Sequence, residues 1–175
     1  KKIKTAWNSS LTDYRFFKRG LARFASKYNL SLLMDNIQIK KFEHNRPYQI
    51  SCRIFSNYNN KIISWQREKA KKLLSNICDT EIITKRKYHK ELLNSRITFS
   101  PFGWGEICYR DFEAIYSGSL LLKPSMAHVE TWPNLYLENK TYLPCDWDLE
   151  NLINIIKNFD KIKSQYIIEN ARKLY

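Results

Sequence analysis

The sequence predicts an α/β protein built on a doubly wound parallel sheet, in a single domain that spans residues 1–175. Strand patterns alternate with helix patterns along the whole chain. Continuous apolar runs such as Leu30–Met34 are typical of strands that are buried on both faces. Three of the four glycines, Gly103, Gly105 and Gly118, lie between two apolar strands, where glycine marks unusual dihedrals or a close approach.

The first quarter of the chain is predicted to form a strand, a helix and a second strand. The short apolar run Ile3–Trp7 indicates the first strand. Apolar residues recur at helical spacing through Asp13–Tyr28, which predicts an amphipathic helix. Leu30–Met34 is the second strand, and the polar, basic stretch Asp35–Arg46 is predicted to be a loop.

The second quarter repeats this alternation with shorter elements. Tyr48–Phe55 alternates as a strand does, and the polar turn Ser56–Asn60 follows it. Apolar residues at helical spacing predict a helix over Ile63–Ile77. A short strand at Glu81–Thr84 and a basic helix at Lys87–Ser95 complete this part.

The centre of the chain has the order strand, glycine loop, helix, glycine stop and strand. Ile97–Ser100 is the first strand, and the proline after it cannot donate to a ladder. The loop Phe102–Gly105 leads to an amphipathic helix that is predicted to start near Glu106. Gly118 ends this helix, and Leu120–Lys123 is the next apolar strand.

The remaining residues are predicted to add one strand and two helices. A loop covers Pro124–Trp132, and Thr141–Leu143 forms a short strand. Asp148 is expected to cap a helix near Leu149–Phe159. A last helix follows near Lys163–Leu174.

Composition restricts the class of protein. Hydrophobic residues at 43% and aromatic residues at 14% favour a folded domain and argue against disorder. No apolar stretch approaches the roughly 20 residues of a membrane span, and the chain does not open with a signal peptide. Four scattered cysteines without metal-site spacing favour a reduced, cytoplasmic setting and make a bound metal unexpected.

The positive charge is concentrated in one half of the chain. Residues 1–96 carry a formal charge of +15, whereas residues 97–175 carry −2. A basic half attracts nucleic acid, an anionic membrane surface or a phosphorylated small molecule. It is equally what a solvated, lysine-rich surface gives, so charge leaves these readings open.

The glycine loop is the strongest candidate for a ligand site. It follows the carboxyl end of a strand, where open α/β sheets bind their ligands. Gly103 and Gly105 allow a ligand to approach the backbone, and the helix that follows directs its free N–H groups and positive dipole end to the same place. A nucleotide diphosphate suits such a site.

Two charged residues on that helix are candidates for contact with such a ligand. Arg110 could pair with phosphate oxygens, and Glu113, one turn later, could accept hydrogen bonds from ribose or sugar hydroxyls. The alternative is that Glu106–Arg110 and Arg110–Glu113 are exposed ion pairs, which stabilise a helix by a few tenths of a kcal/mol. Spacing alone leaves both interpretations open.

At this point the sequence resembles a family. Arg110–Pro124, with its Arg-x-Phe-Glu-Ala core and the small-residue–glycine turn after it, is similar to the donor-binding signature of GT-B glycosyltransferases of the group-1 type. The tail from Tyr136 to Asp148, and Ile168–Lys173, look like the elements that close such domains. The resemblance covers Ile97–Tyr175, and it implies a Rossmann-like domain equivalent to the C-terminal half of a GT-B enzyme, with the acceptor domain missing.

The resemblance also implies roles for individual residues. The strand end at Ser100 and the loop Gly103, Trp104 and Gly105 would bind the nucleotide-diphosphate sugar, Arg110 would counter the diphosphate, and Glu113 would bind hydroxyls. Many such enzymes carry an earlier acidic residue at the position that is Gly105 here. Glu106 stands one place further on and is the available donor-sugar ligand.

Further candidates come from neighbouring loops. Basic residues of an earlier loop neutralise the leaving diphosphate in such enzymes, and Arg53, Lys61 and Arg67 are the candidates for this role here. Each could equally be a solvated cation. His128 follows the next strand at the same sheet edge, so it could act as a general base, bind the sugar or serve only the structure. Trp104 could stack on a base or sugar, or pack within its loop.

The function expected from these features is metal-independent transfer of a sugar from a nucleotide-diphosphate donor to an acceptor. The expected partners are the nucleotide sugar and a glycan or lipid-linked acceptor, with a peripheral membrane contact for the basic half as a further hypothesis. No cofactor beyond the donor is expected. Two alternatives stay open: a basic nucleic-acid- or nucleotide-binding module, which is disfavoured, and a noncatalytic interaction domain with a degenerate donor pocket.

Overall fold

Four short parallel strands form the main sheet of the protein. The computed structural model describes residues 5–6, 43 and 45–174, and every structural statement below concerns these residues. In chain order, the elements are β1 (Thr5–Ala6), β2 (Tyr48–Ser51), α1 (Lys61–Leu74), α2 (Lys85–Leu93), β3 (Ser95–Phe99), α3 (Tyr109–Ser117), β4 (Leu120–Pro124), β5 (Thr131–Trp132), β6 (Leu143–Cys145), α4 (Leu152–Lys157) and α5 (Lys161–Leu174).

The strand order in the main sheet is β2-β3-β4-β6, and all three pairings are parallel. Ile50 lies opposite Ile97, and Leu122 lies opposite Leu143. β1 and β5 form a separate two-stranded parallel pair. Parallel strands need crossover connections, and α1 and α2 lie between β2 and β3 while α3 lies between β3 and β4. The connection from β4 to β6 has no helix in the described structure. The mixed α/β fold predicted from the alternating pattern is confirmed.

Helices cover both faces of the main sheet. On one face, Ile97, Phe99, Leu120 and Leu122 belong to a hydrophobic cluster that α1, α4 and α5 complete. On the other face, Leu121 packs in a second cluster with residues of α3. Successive residues of a strand point to opposite faces, so the apolar run of β4 supplies both clusters.

Capping residues explain where the helices depart from the sequence predictions. α1 starts two residues before the predicted position because the Asn60 side chain accepts from the N–H groups of Ile62 and Ile63. α3 starts at Tyr109, not near Glu106, because Cys108 is its N-cap. Glu106 therefore lies outside the helix.

Three other local predictions are wrong. β2 ends at Ser51, so residues 52–55 are not a strand. Glu81–Thr84 is not a strand either. The Asp79 carboxylate accepts from the Glu81 N–H in a turn, and Thr84 is already the N-cap of α2. The strand predicted at Thr141–Leu143 lies at Leu143–Cys145.

The helix α4 is shorter than the predicted Leu149–Phe159, and α5 starts two residues before the predicted Lys163. Asn151, not Asp148, is the N-cap of α4, and the Asp148 carboxylate instead accepts from the N–H group of Glu150 in the turn before it. The helix predicted at Asp13–Tyr28 and the strand at Leu30–Met34 lie outside the described residues. Among the described helices, none is both long and apolar enough to cross a membrane.

Candidate functional site

The glycine loop lies at the carboxyl edge of the main sheet, as predicted. The Ser100 N–H donates to the Leu122 carbonyl, which extends the β3–β4 pairing to the strand end. Beyond it, the Gly103 N–H donates to the Gly105 carbonyl at 3.1 Å and closes a tight turn. In the described part of the chain, no acceptor takes the N–H groups of Trp104, Gly105 or Glu106, so they are left for solvent or a ligand.

The three central glycines serve different purposes. Gly118 has φ 67° and ψ 31°, in the left-handed region, and it ends α3 as predicted. Gly103 and Gly105 do not have positive φ, so the expectation of unusual dihedrals is wrong for both. A Cβ on Gly103 would lie 3.3 Å from Nη2 of Arg67, whereas a Cβ on Gly105 would meet nothing within 4 Å. The absence of a side chain at Gly103 therefore leaves room for the close approach of the arginine.

The side chain of Arg67, on α1, binds the backbone of the glycine loop. Its Nε donates to the Phe102 carbonyl at 2.7 Å, and its Nη1 donates to the Phe55 carbonyl at 3.0 Å. The guanidinium also lies over the Tyr58 ring, 5.0 Å from its centroid. The side chain, with 7% exposure, joins the loop after β2 to the loop after β3.

Arg110, in the first turn of α3, binds the same backbone segment after β2 that Arg67 binds. Its Nη2 donates to the Arg53 carbonyl at 2.5 Å, and its Nε donates to the Tyr88 hydroxyl at 3.2 Å. That hydroxyl in turn donates to Oε2 of Glu113 at 2.8 Å. Tyr88 therefore bridges the two residues, and neither ion pair offered as the alternative to ligand contact, Glu106–Arg110 or Arg110–Glu113, forms.

The positive charges of the two arginines are not neutralised by contact. Among the described residues, no carboxylate lies within ion-pair distance of Arg67 or Arg110. Burial, and then the nearby positive charge of Arg110, hold the pKa of Arg67 below its usual value. Nη2 of Arg67 and Nη1 of Arg110 meet no protein acceptor in the described chain, yet both keep access to solvent. Such an arrangement favours a bound anion.

A buried polar cluster supports the loop, and the sequence interpretation missed it. The carboxylate of Asp111 is fully buried and accepts from Ser100 Oγ at 2.5 Å and Tyr136 Oη at 2.6 Å. It also accepts from the Cys108 N–H at 3.0 Å and pairs with Lys123 Nζ at 3.2 Å. The sequence signal that could have revealed this cluster is Lys123 inside the apolar strand β4, because a buried cation requires a buried partner.

The rim of the site carries Trp104, Glu106 and His128. His128 lies at the same edge, as predicted, with Nε2 3.9 Å from Glu106 Oε1. Its ring also meets the Phe102 ring edge-on at 6.0 Å. Trp104 is 78% exposed, and among the residues that the structure describes its ring contacts Tyr58 edge-on at 5.8 Å. These side chains are therefore open to a molecule bound above the loop.

Other sequence candidates do not converge on the loop through their side chains. The Arg53 guanidinium turns away to Asp79 and Glu91, at 2.5 Å and 2.6 Å, and only its carbonyl meets Arg110. The Ser100 hydroxyl is committed to Asp111 inside the protein. Lys61 is exposed at the first position of α1, and no contact joins it to the loop in the described structure.

No cluster of His, Cys, Asp or Glu side chains that could hold a metal ion occurs within the described ranges. Comparison with known proteins gives no matching family model and no significantly similar curated protein.

Proposed function

We propose that this domain binds a nucleotide-diphosphate sugar at the glycine loop and supports metal-independent transfer of the sugar, as the Rossmann-like donor domain of a GT-B glycosyltransferase does. The observation that carries the proposal is the pair of unneutralised guanidinium groups of Arg67 and Arg110 beneath the loop. A phosphate group would supply the missing negative charge and accept from both donors.

The spacing of the two arginines suits a diphosphate. They bind the carbonyls of Arg53 and Phe55, which are two residues apart on one backbone segment. Such carbonyls are separated by roughly 7 Å in extended chain, close enough for one diphosphate to reach both guanidinium groups. The N–H groups of Trp104, Gly105 and Glu106, which no described acceptor takes, add neutral donors at the same loop.

These donors would act most strongly when the bond to the sugar breaks. Negative charge then builds on the diphosphate, and fixed donors in a partly buried site stabilise that charge without reorganisation. Glu113 and Glu106 would bind hydroxyls of the donor. His128, beside Glu106 at the rim, would accept a hydrogen bond or a proton from a sugar or acceptor hydroxyl.

A thermal-shift screen tests this proposal with UDP, GDP, CMP and their sugar conjugates. A ligand at 100 times its Kd stabilises the native state by about 2.7 kcal/mol, which is readily measured. We expect at least one diphosphate to raise the melting temperature of the wild type and to have little effect on Arg67→Gln. Lys157→Gln is the matched control, because Lys157 is an exposed cation beside Ile156, whose carbonyl meets Gln49 near the opposite end of β2.

Stabilisation by DNA or RNA alone, with steep salt dependence, would instead support the nucleic-acid alternative. No response to any nucleotide would contradict the proposal.

A further inference from the structure

Two of the four cysteines lie side by side, away from the glycine loop. All four cysteines are free thiols. Cys52 is buried just after β2, and Cys78 is partly buried after α1. Cys78 packs against the hydrophobic cluster that contains Cys52, and the two thiols are close enough to shift each other's pKa.

Backbone and side-chain contacts hold these two segments together. The Ile54 N–H donates to the Thr80 carbonyl at 3.3 Å, two residues beyond each cysteine. Arg53 Nη1 donates to the Glu81 carbonyl at 3.1 Å, and Arg53 also pairs with Asp79. The stretch after β2 therefore runs beside the stretch after α1, and this places Cys52 next to Cys78.

Only one member of this pair has a path to small molecules. A cavity of about 370 Å³ is lined by Cys78 together with Tyr48, Arg53, Asp79, Glu91 and Arg96. Cys52 does not line it and lies behind Cys78 in the core cluster. The arrangement is that of an accessible thiol backed by a second, protected thiol.

We propose that Cys78 is a site of oxidation by hydroperoxides, and that Cys52 then joins it in an intrachain disulfide. The Cys78 thiolate attacks the peroxide O–O bond and forms a sulfenic acid, while the displaced oxygen leaves as hydroxide or alkoxide and takes up a proton. Cys78 loses two electrons to the peroxide in this step. The Cys52 sulfur then displaces the sulfenic oxygen, which leaves as water with the proton of the Cys52 thiol.

The ionisation of the thiols agrees with this assignment. The neighbouring Cys52 thiol lowers the pKa of Cys78, and the positive charge of Arg53 acts in the same direction, against burial and the negative charges of Glu91 and Asp79. Burial raises the pKa of Cys108, and it raises the pKa of Cys145 to about 12. Cys78 is therefore the one thiol of the four whose pKa is lowered, while the pKa of each of the others is raised.

Peptide mapping of the hydrogen-peroxide-treated protein tests the proposal. The folded chain is oxidised, its remaining thiols are alkylated, and the digest is examined by mass spectrometry. We expect one cross-linked species that joins the Cys52 and Cys78 peptides and has lost two hydrogen atoms. A cross-link between another pair, or oxidation of Cys108 or Cys145 while Cys52 and Cys78 remain thiols, would overturn the proposal.

Single variants separate the two roles. Cys52→Ser should leave a sulfenic acid on Cys78 that dimedone traps, and Cys78→Ser should leave Cys52 unmodified. Cys108→Ser is the control and should form the disulfide as the wild type does. If a variant fails to fold, native alkylation of the wild type still decides: Cys78 should react with iodoacetamide roughly tenfold faster than Cys108. Equal or slower reaction at Cys78 would contradict the assignment.

Discussion

Asp111 and Lys123 form an ion pair in which both side chains are completely buried, with 3.2 Å between Nζ and the carboxylate. Asp111 lies in the first turn of α3, and Lys123 lies in β4. The same carboxylate accepts the Cys108 N–H and so caps α3. One side chain thus fixes the helix start, the strand β4 and the end of the glycine loop relative to one another.

Removal of one member of this pair is expected to destabilise the fold strongly. Asp111→Ala leaves Lys123 charged and buried without its partner, which typically costs about 3–5 kcal/mol in the free energy of unfolding. Urea denaturation of the two proteins measures the difference. A loss below about 1 kcal/mol would mean that water or a neighbouring group compensates the lysine.

The double variant Asp111→Asn with Lys123→Met provides the control. It removes both charges together, so the protein should recover part of the stability that Asp111→Asn alone loses. Simple addition of the two single losses would contradict a direct interaction between the side chains.

The two loop glycines should respond differently to alanine. In Gly103→Ala, the new methyl group lies 3.3 Å from Nη2 of Arg67, so the end of the arginine must shift by a few tenths of an ångström. The shift should weaken the bond of Arg67 to the Phe102 carbonyl, cost up to about 1 kcal/mol of stability and weaken diphosphate binding. Gly105→Ala has open space and should stay within about 0.5 kcal/mol of the wild type. Equal effects in a thermal melt would contradict the close approach of Arg67.

The hydroxyl group of Tyr88 should contribute to the stability of the fold, because it joins Arg110 to Glu113. In Tyr88→Phe, Arg110 Nε loses an acceptor and Glu113 loses a donor, and we expect a stability loss of about 1–3 kcal/mol. Tyr109→Phe is the matched control, because Tyr109 is 80% exposed and should change stability little. Chemical denaturation of both variants makes the comparison. If the two substitutions had the same small effect, the bridge would have no energetic role.

Alkaline pH is expected to destabilise the protein through Cys145. Burial raises the pKa of this thiol from its usual value near 9 to about 12. Between these values the unfolded chain has lost the proton that the folded chain keeps, so stability falls as pH rises, by up to about 1.4 kcal/mol per pH unit. Cys145→Ala should lower this slope in urea unfolding measured across the alkaline range. An unchanged slope would show that other buried groups, such as Tyr136, cause the effect.

The main sheet could be predicted because its signals are local. The apolar runs at β3 and β4 indicate buried strands, and Gly118 marks the end of the helix between them. Helix starts were less predictable because they depend on the capping side chain. At α3 the cap is Cys108, with Asp111 three residues later, and cysteine is not a usual cap.

The position of the candidate site could be predicted from the sequence, but the contacts that its arginines make could not. The loop and Arg110 follow from the order of elements. The direction of Arg53 depends on Glu91, which is 38 residues away in sequence, so no local pattern discloses that Arg53 turns from the loop. The burial of Arg67 likewise depends on how α1 packs beneath the loop. Long-range pairing of charges therefore decides which of these arginines has a carboxylate partner.

Isothermal titration with a nucleoside diphosphate and with its parent nucleoside tests most directly whether Arg67 and Arg110 hold phosphate. We expect the wild type to bind the diphosphate at least about tenfold more tightly than the nucleoside, a difference of 1.4 kcal/mol. Arg67→Gln and Arg110→Gln should abolish that preference, and Lys157→Gln should retain it. Equal affinity of the wild type for nucleoside and diphosphate would contradict an anion site at this edge of the sheet.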